Sequence, residues 1–207
     1  MTTLIHSDFK GERLLLAELT HRINNEFAAA SGLVSLAAAR ISAPDAKELL
    51  VDVKNRLANF ARVQQALQVP ALRISVDATD YLQKLCVAIS ESKLSERGIT
   101  LQLTAPPLQL DSEQCWRLGL IVSELISNSA RHAFAAKGGH IQVEISARGP
   151  FVSCVVADDG SGPQKVAPGN GLRIVEALAR ELPGHIEQRF GSDGSVSGIV
   201  FTAINLS

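Results

Sequence analysis

Apolar positions recur at helical spacing through the first third of the chain. In residues 14–41, LLLAELTHRINNEFAAASGLVSLAAARI, the positions Leu16, Leu19, Ile23, Phe27, Ala30, Val34, Ala37 and Ile41 are separated by 3, 4, 4, 3, 4, 3 and 4. That is a heptad-like seam on one long helix. Ser42-Ala43-Pro44-Asp45 breaks it, with Pro44 unable to continue a helix and Asp45 placed to cap the next one. A second helix carries Leu50, Val53, Leu57, Phe60, Val63 and Leu67 on one stripe. Two helices joined by a short turn make an antiparallel hairpin. One hairpin buries little alone, whereas two from two chains make a four-helix bundle. A homodimer is therefore expected.

The texture changes at Val69-Pro70. Beyond it the pattern predicts a helix from Asp80 to Ser95 stopped by Gly98, a strand from Ile99 to Thr104, and a long helix from Ser112 to Ala135. Two strands, Ile141–Ile145 and Phe151–Val156, flank a turn at Arg148-Gly149-Pro150. A glycine-rich loop from Gly160 to Gly171 leads into a helix from Leu172 to Leu182, and strands at His185–Phe190 and Ile199–Ile204 follow. The expected class is α+β: a helical hairpin over residues 9–69, then helices layered on a mixed sheet over residues 70–207.

Composition narrows the function classes. Of the 207 residues, 46% are hydrophobic and 20% charged, as for a packed globular protein. A net charge of −1 gives no basic field for nucleic acid. The opening MTTLIHSDFKGER is not a signal peptide, and no apolar run approaches the roughly 20 residues that span a bilayer. A cytoplasmic protein without a membrane segment is expected. Cys86, Cys115 and Cys154 lie far apart in apolar stretches, which predicts buried free thiols rather than a disulfide or zinc site.

Candidate chemistry sits in four places. His21 is two residues from Leu19 and two from Ile23, about 200° around the helix from each, so its imidazole points away from the seam. Asn25 lies one turn on, on the same face, where its amide can orient a water or a phosphate oxygen. In LGLIVSELISNSARHAF, Glu124, Asn128 and Arg131 share a side next to the apolar stripe. A carboxylate and a carboxamide four residues apart can hold a magnesium ion and its water at a triphosphate. Asp158-x-Gly160-x-Gly162 follows a strand, and Gly169-Asn170-Gly171-Leu172 opens a helix whose free amides suit phosphate.

These strings together resemble the transmitter core of bacterial sensor histidine kinases. Glu18-Leu19-Thr20-His21-Arg22-Ile23-Asn24-Asn25-Glu26-Phe27 resembles the phosphoacceptor box of the HWE-related class, with Asn24 where lysine is usual. In the larger kinase class an acid follows the histidine; here Arg22 does, leaving Glu18 and Glu26 as the nearby carboxylates. Ser123-Glu124 to His132 resembles the asparagine box of Bergerat-type (GHKL) ATPases, Ser123 replacing its first asparagine. The resemblance implies magnesium binding through Asn128, an acidic role for Glu124, and phosphate neighbours in Arg131 and His132. It implies adenine recognition by Asp158 with Gly160 and Gly162, and a second glycine box at Gly169, Gly171 and Leu172. Gly194-Ser195 matches the family's final glycine–threonine element in part.

The implied activity uses ATP and Mg2+ to phosphorylate His21 and passes the phosphoryl group to the aspartate of a response-regulator receiver domain. Only eight residues precede the hairpin, so a separate sensor or upstream protein is expected to supply the signal. Six residues separate Gly162 from Gly169, a short lid by the family's standard. That favours one alternative, a histidine phosphotransferase of the same architecture that relays phosphoryl groups between regulators without ATP. A Bergerat-fold anti-sigma factor would lack the histidine hairpin. A dimeric scaffold would leave the nucleotide boxes unexplained.

Overall fold

The computed structural model describes residues 3–41, 43–68, 75–134, 138–161 and 170–204. The chain forms two compact units, Met1–Gln68 and Val69–Ser207.

The first unit is a helical hairpin. Helix α1 runs Thr3–Arg40, so its helical stretch begins well before Leu14. Helix α2 runs Pro44–Ala66. Pro44 opens α2, where its missing N–H costs nothing. Ala43 holds the cap position without a side-chain bond. Asp45 is therefore not the cap: it sits in the first turn, where its charge meets the positive helix end. The seam joins the helices where Phe27 and Phe60 stack with ring centroids 4.8 Å apart. From Glu18 to Gln68, among the residues whose burial is described, only Ala38 and Val63 are buried. Seam residues Leu19 and Ile23 stay 47% and 46% exposed, and Phe60 41%.

In the second unit a five-stranded sheet has the order β2-β4-β5-β7-β6. Its strands are β2 (Ile99–Thr104), β4 (Gly139–Arg148), β5 (Phe151–Asp158), β6 (Gly184–Gly191) and β7 (Gly194–Thr202). The β2–β4 pair is parallel and the others antiparallel. A small ladder pairs β1 (Val76–Asp77) with β3 (Gln109–Leu110), which the sequence pattern does not predict. Alternate residues of the sheet, among them Ile141, Val143, Ile145, Val152, Cys154, Val156, Ile199 and Phe201, are buried. They form a core with Leu82, Leu85 and Ile89 of α3 (Ala78–Ile89), Leu118, Ile121, Val122, Leu125 and Ile126 of α4 (Ser112–His132), and Val175, Ala179 and Leu182 of α5 (Asn170–Glu181). The mixed α+β layering expected from the pattern is thus present.

Local capping fixes the helix starts. Asp77 accepts from the Asp80 amide and Asp111 from the Glu113 amide, each at 2.9 Å. The helix expected over Asp80–Ser95 does not run through. It gives way after Ile89 to a π-helical turn, Ser90–Leu94, and a 3-10 turn, Ser95–Arg97. The extra residue of the wide turn keeps Leu94 in the core while Lys93 is exposed. Gly98, at φ 66°, then ends the run as expected. Strand β7 begins at Gly194, five residues before the predicted start, because it is paired on both sides, to β5 and to β6. The three cysteines are buried and free. Burial pushes each thiol up to about 12, so all three stay protonated and unreactive at neutral pH.

Candidate functional site

On α1, His21 is exposed. The side chain at its ring is the Asn25 carboxamide, with Nδ2 3.3 Å from His21 Nδ1. With the amide nitrogen toward the ring, Nδ1 accepts and Nε2 carries the proton. With the amide oxygen there, Nδ1–H donates and the Nε2 lone pair is open to an electrophile. The carboxamide can turn between these states, so Asn25 can select the tautomer. Of the carboxylates near in sequence, Glu18 is engaged by Arg22, whose Nε donates to its Oε1 at 2.9 Å. Both side chains are more than half exposed, so this pair positions Glu18 more than it stabilises the helix.

In the second unit, α4 brings Glu124 and Asn128 onto one half-buried face, with Arg131 and His132 exposed in its last turn. The first turn of α5 lies directly on this face. A Cβ added to Gly171 would fall 1.9 Å from Glu124 Oε1, so a larger residue there would push the flexible Glu124 carboxylate aside. Leu172, next along α5, is half-buried.

The end of β5 supplies Asp158, which is 8% exposed. Its Oδ1 accepts from the amides of Gly160 at 3.3 Å and Ser195 at 3.1 Å. Its Oδ2 accepts from the Ser195 hydroxyl at 2.5 Å. The adjacent Asp159 is spent differently: its Oδ1 accepts from the His140 amide at 2.7 Å, tying the strand end to β4. Two close approaches pack backbone around Asp158. A Cβ at Gly160 would lie 2.4 Å from the Ala133 carbonyl oxygen, which brings the aspartate loop against the end of α4. Gly194, at φ 136°, lies so close to Asp158 that an added Cβ would be 2.0 Å from its carbonyl oxygen. Gly162 and Gly169 fall outside the described residues.

Ser195, noted in the sequence only as part of a partial glycine–threonine element, completes the Asp158 cluster. Two contributors were not singled out from the sequence. Arg97 donates to the carbonyls of Ala130 at 2.5 Å and Phe134 at 3.2 Å, capping the turn that carries Arg131. Lys93, on the π turn, reaches Ser127 of α4, and nothing in its local sequence marks it.

Comparison with known proteins gives matches along most of the chain. A family model described as "Histidine kinase" matches residues 18–93, spanning the hairpin and α3. A second, "Histidine kinase-like ATPase domain", matches residues 97–195. The sensor histidine kinase PdtaS of Mycobacterium tuberculosis is 27% identical over 182 residues, covering 84% of this chain. The chain spans 36% of that relative's length. The histidine kinase domain of the Erythrobacter litoralis EL346 blue-light activated histidine kinase has a similar fold, with a TM-score of 0.61 at 20% identity, covering 87% of this chain and 95% of that one. The structure of a bacterial phosphotransferase also shares the fold, with a TM-score of 0.61 at 10% identity over 96% of this chain and 97% of that one.

Proposed function

The chain belongs to the histidine kinases, carrying their helical hairpin and their ATPase-type domain, and on that premise we propose that it phosphorylates His21 from ATP and hands the phosphoryl group to a response-regulator aspartate. One observation carries the nucleotide half of this reading. Asp158 receives three donors, and a carboxylate offers about four lone-pair sites. One site is left on a buried acceptor that two close-packed glycine turns surround, which fits the exocyclic amino group of adenine.

The remaining residues then take definite tasks. The α5 start, stripped of a side chain at Gly171, offers amides to phosphate, as do Arg131 and His132 from the last turn of α4. Gly162, Gly169 and Leu172 belong to the same loops by sequence. Asn128 and Glu124, together on one half-buried face of α4, fit a magnesium ion carried by the phosphates, with the Asn128 oxygen as protein ligand and Glu124 beside it. When bound, that ion neutralises charge developing on the transferred group. His21 acts as the nucleophile through Nε2 while Asn25, with its oxygen turned inward, holds the proton on Nδ1. Glu18 or Glu26 is left to take that proton. The receiver then supplies its own aspartate. A separate upstream protein and a cytoplasmic setting complete the proposal; no helix among the described residues is long and apolar enough to cross a membrane.

The deciding experiment is incubation with γ-labelled ATP. An acid-labile, base-stable label on His21 is the expected result. No label, together with no nucleotide binding, would turn the reading to its alternative, a phosphotransferase relaying between regulators. The short Gly162–Gly169 spacing favours that second reading.

The same reading makes the chain a homodimer through residues 14–67. Leu19, Ile23, Leu33, Leu36, Leu49 and Phe60 are each more than 40% exposed on one hairpin. Burying one such side chain contributes about 1.5–3 kcal/mol, and a second hairpin offers the same apolar surface in return. Light scattering at micromolar concentration should give twice the 22.1 kDa chain mass. Changing Ile23 and Phe60 together to serine should shift that mass toward the monomer.

A further inference from the structure

Lys93 stands apart from the residues that the site reading uses. It projects from the π turn Ser90–Leu94, and its Nζ makes a long contact, 3.4 Å, with Ser127 Oγ on α4. Ser127 lies three residues after Glu124 and four before Arg131, so the ammonium enters the face that carries both. Among the described residues no carboxylate forms an ion pair with it, although Glu124 and Arg131 both act on it electrostatically. An ammonium has three donors, and here one weak hydroxyl contact occupies them. Partial burial lowers its pKa first, Glu124 opposes this, and Arg131 adds to it. Two cations, Lys93 and Arg131, therefore lie near one another beside the Glu124 carboxylate. Such a corner favours an anion.

We infer that Lys93 is a nucleotide-positioning residue: with Arg131 it forms a cationic seat for the terminal phosphates, on the part of α4 that carries Glu124 and Ser127. The inference rests on the nucleotide reading above and adds to it a residue from outside the recognised boxes. The wide π turn has a purpose in this account, since it allows Leu94 to enter the core while its neighbour extends along α4. An ammonium suits the task, as a compact charge that can follow a phosphate without fixed geometry.

The test is titration calorimetry on the full chain with Mg-ATP, Mg-ADP and adenosine, comparing wild type, Lys93→Gln and Lys93→Arg. Lys93→Gln should weaken ATP about tenfold, as expected for one charge-assisted contact, weaken ADP less, and leave adenosine unchanged. Lys93→Arg should keep most of the ATP affinity. The melting temperature should not move, because the residue is exposed. Equal weakening of all three ligands, or none, would overturn the assignment. So would loss of the Lys93 effect in a Glu124→Gln background, which would make Lys93 merely a counter-charge to Glu124. Failure of the wild type to bind any of the three would overturn the nucleotide reading itself, and this inference with it.

Discussion

His21→Ala should abolish phosphorylation by both available routes, whereas Asn128→Ala should abolish only one. The first route is labelling from ATP. It needs the imidazole as nucleophile and the nucleotide domain as donor. If Asn128 holds the magnesium ion as proposed, losing its oxygen should lower the labelling rate by ~100- to 1,000-fold, the usual cost of removing one stabilising group at a transition state. The second route starts from a phosphorylated response regulator and runs in reverse. Phosphohistidine is a high-energy amidate, so this transfer is readily reversible. It uses His21, the regulator's aspartate and the regulator's own magnesium, and Asn128 has no part in it. Asn128→Ala should therefore accept label from the regulator at close to the wild-type rate. Reverse labelling of His21→Ala would place the acceptor elsewhere, and His132, His140 and His185 are then the positions to replace in turn. Undiminished ATP labelling of Asn128→Ala would remove Asn128 from the nucleotide site. Asn25→Ala should fall between these cases. It keeps the nucleophile but loses the group that selects its tautomer, so both routes should slow without stopping.

The parts of this molecule that were legible in its sequence are those set by periodic patterning or by a steric demand on glycine. The hairpin followed from a 3–4 apolar spacing that only a helix can use. The strands β4 and β5 followed from alternation, and their turn from Gly149, which adopts φ 57°. Gly160 was legible because no other residue fits beside the Ala133 carbonyl. What escaped was set by contacts between distant segments. Strand β7 starts at Gly194 because β5 and β6 hold it from both sides, and glycine and serine are poor strand formers alone. The π turn after Ile89 has no local marker, since it answers to the burial of Leu94. Lys93 and Arg97 reach α4 across more than 30 residues of sequence, and a lone lysine or arginine before a glycine reads as an ordinary solvated helix end.

Asp158→Ala is expected to be the most damaging substitution for nucleotide binding, and its two effects can be separated. The carboxylate accepts from two backbone amides and one hydroxyl while almost wholly buried. Alanine removes the acceptor and leaves three donors in a space that water enters poorly. Each unsatisfied buried donor costs about 1–3 kcal/mol. Repacking and an entering water will recover part of that, so the loss in stability should be about 2–4 kcal/mol. Affinity for adenine nucleotides should fall as well, because the bond we propose to the base is lost and the Gly160 and Gly194-Ser195 turns lose the carboxylate that anchors them. A charge-assisted hydrogen bond is worth about 1.5–3 kcal/mol, so ATP and ADP should each weaken by roughly 10- to 100-fold. Asp158→Asn separates the two effects. It preserves the volume and one acceptor oxygen, but its amide group meets the Ser195 hydroxyl or the Gly160 and Ser195 amides with hydrogens of its own. Of the two oxygens, Oδ1 has the two backbone donors and is the one the amide will retain, leaving NH2 toward Ser195 Oγ and the base. The hydroxyl can turn to accept from that NH2, and stability should return to within about 1 kcal/mol of wild type. The adenine amino group would then face a donor instead of an acceptor, so ATP and ADP should remain as weak as with alanine. Inosine nucleotides, which carry a carbonyl oxygen where adenine has its amino group, should bind Asp158→Asn better than adenine nucleotides do. Calorimetric titration of ATP and inosine triphosphate against both variants, beside their melting temperatures, reads all of this directly. Unchanged ATP affinity in a folded Asp158→Asn chain would show that the base is recognised elsewhere.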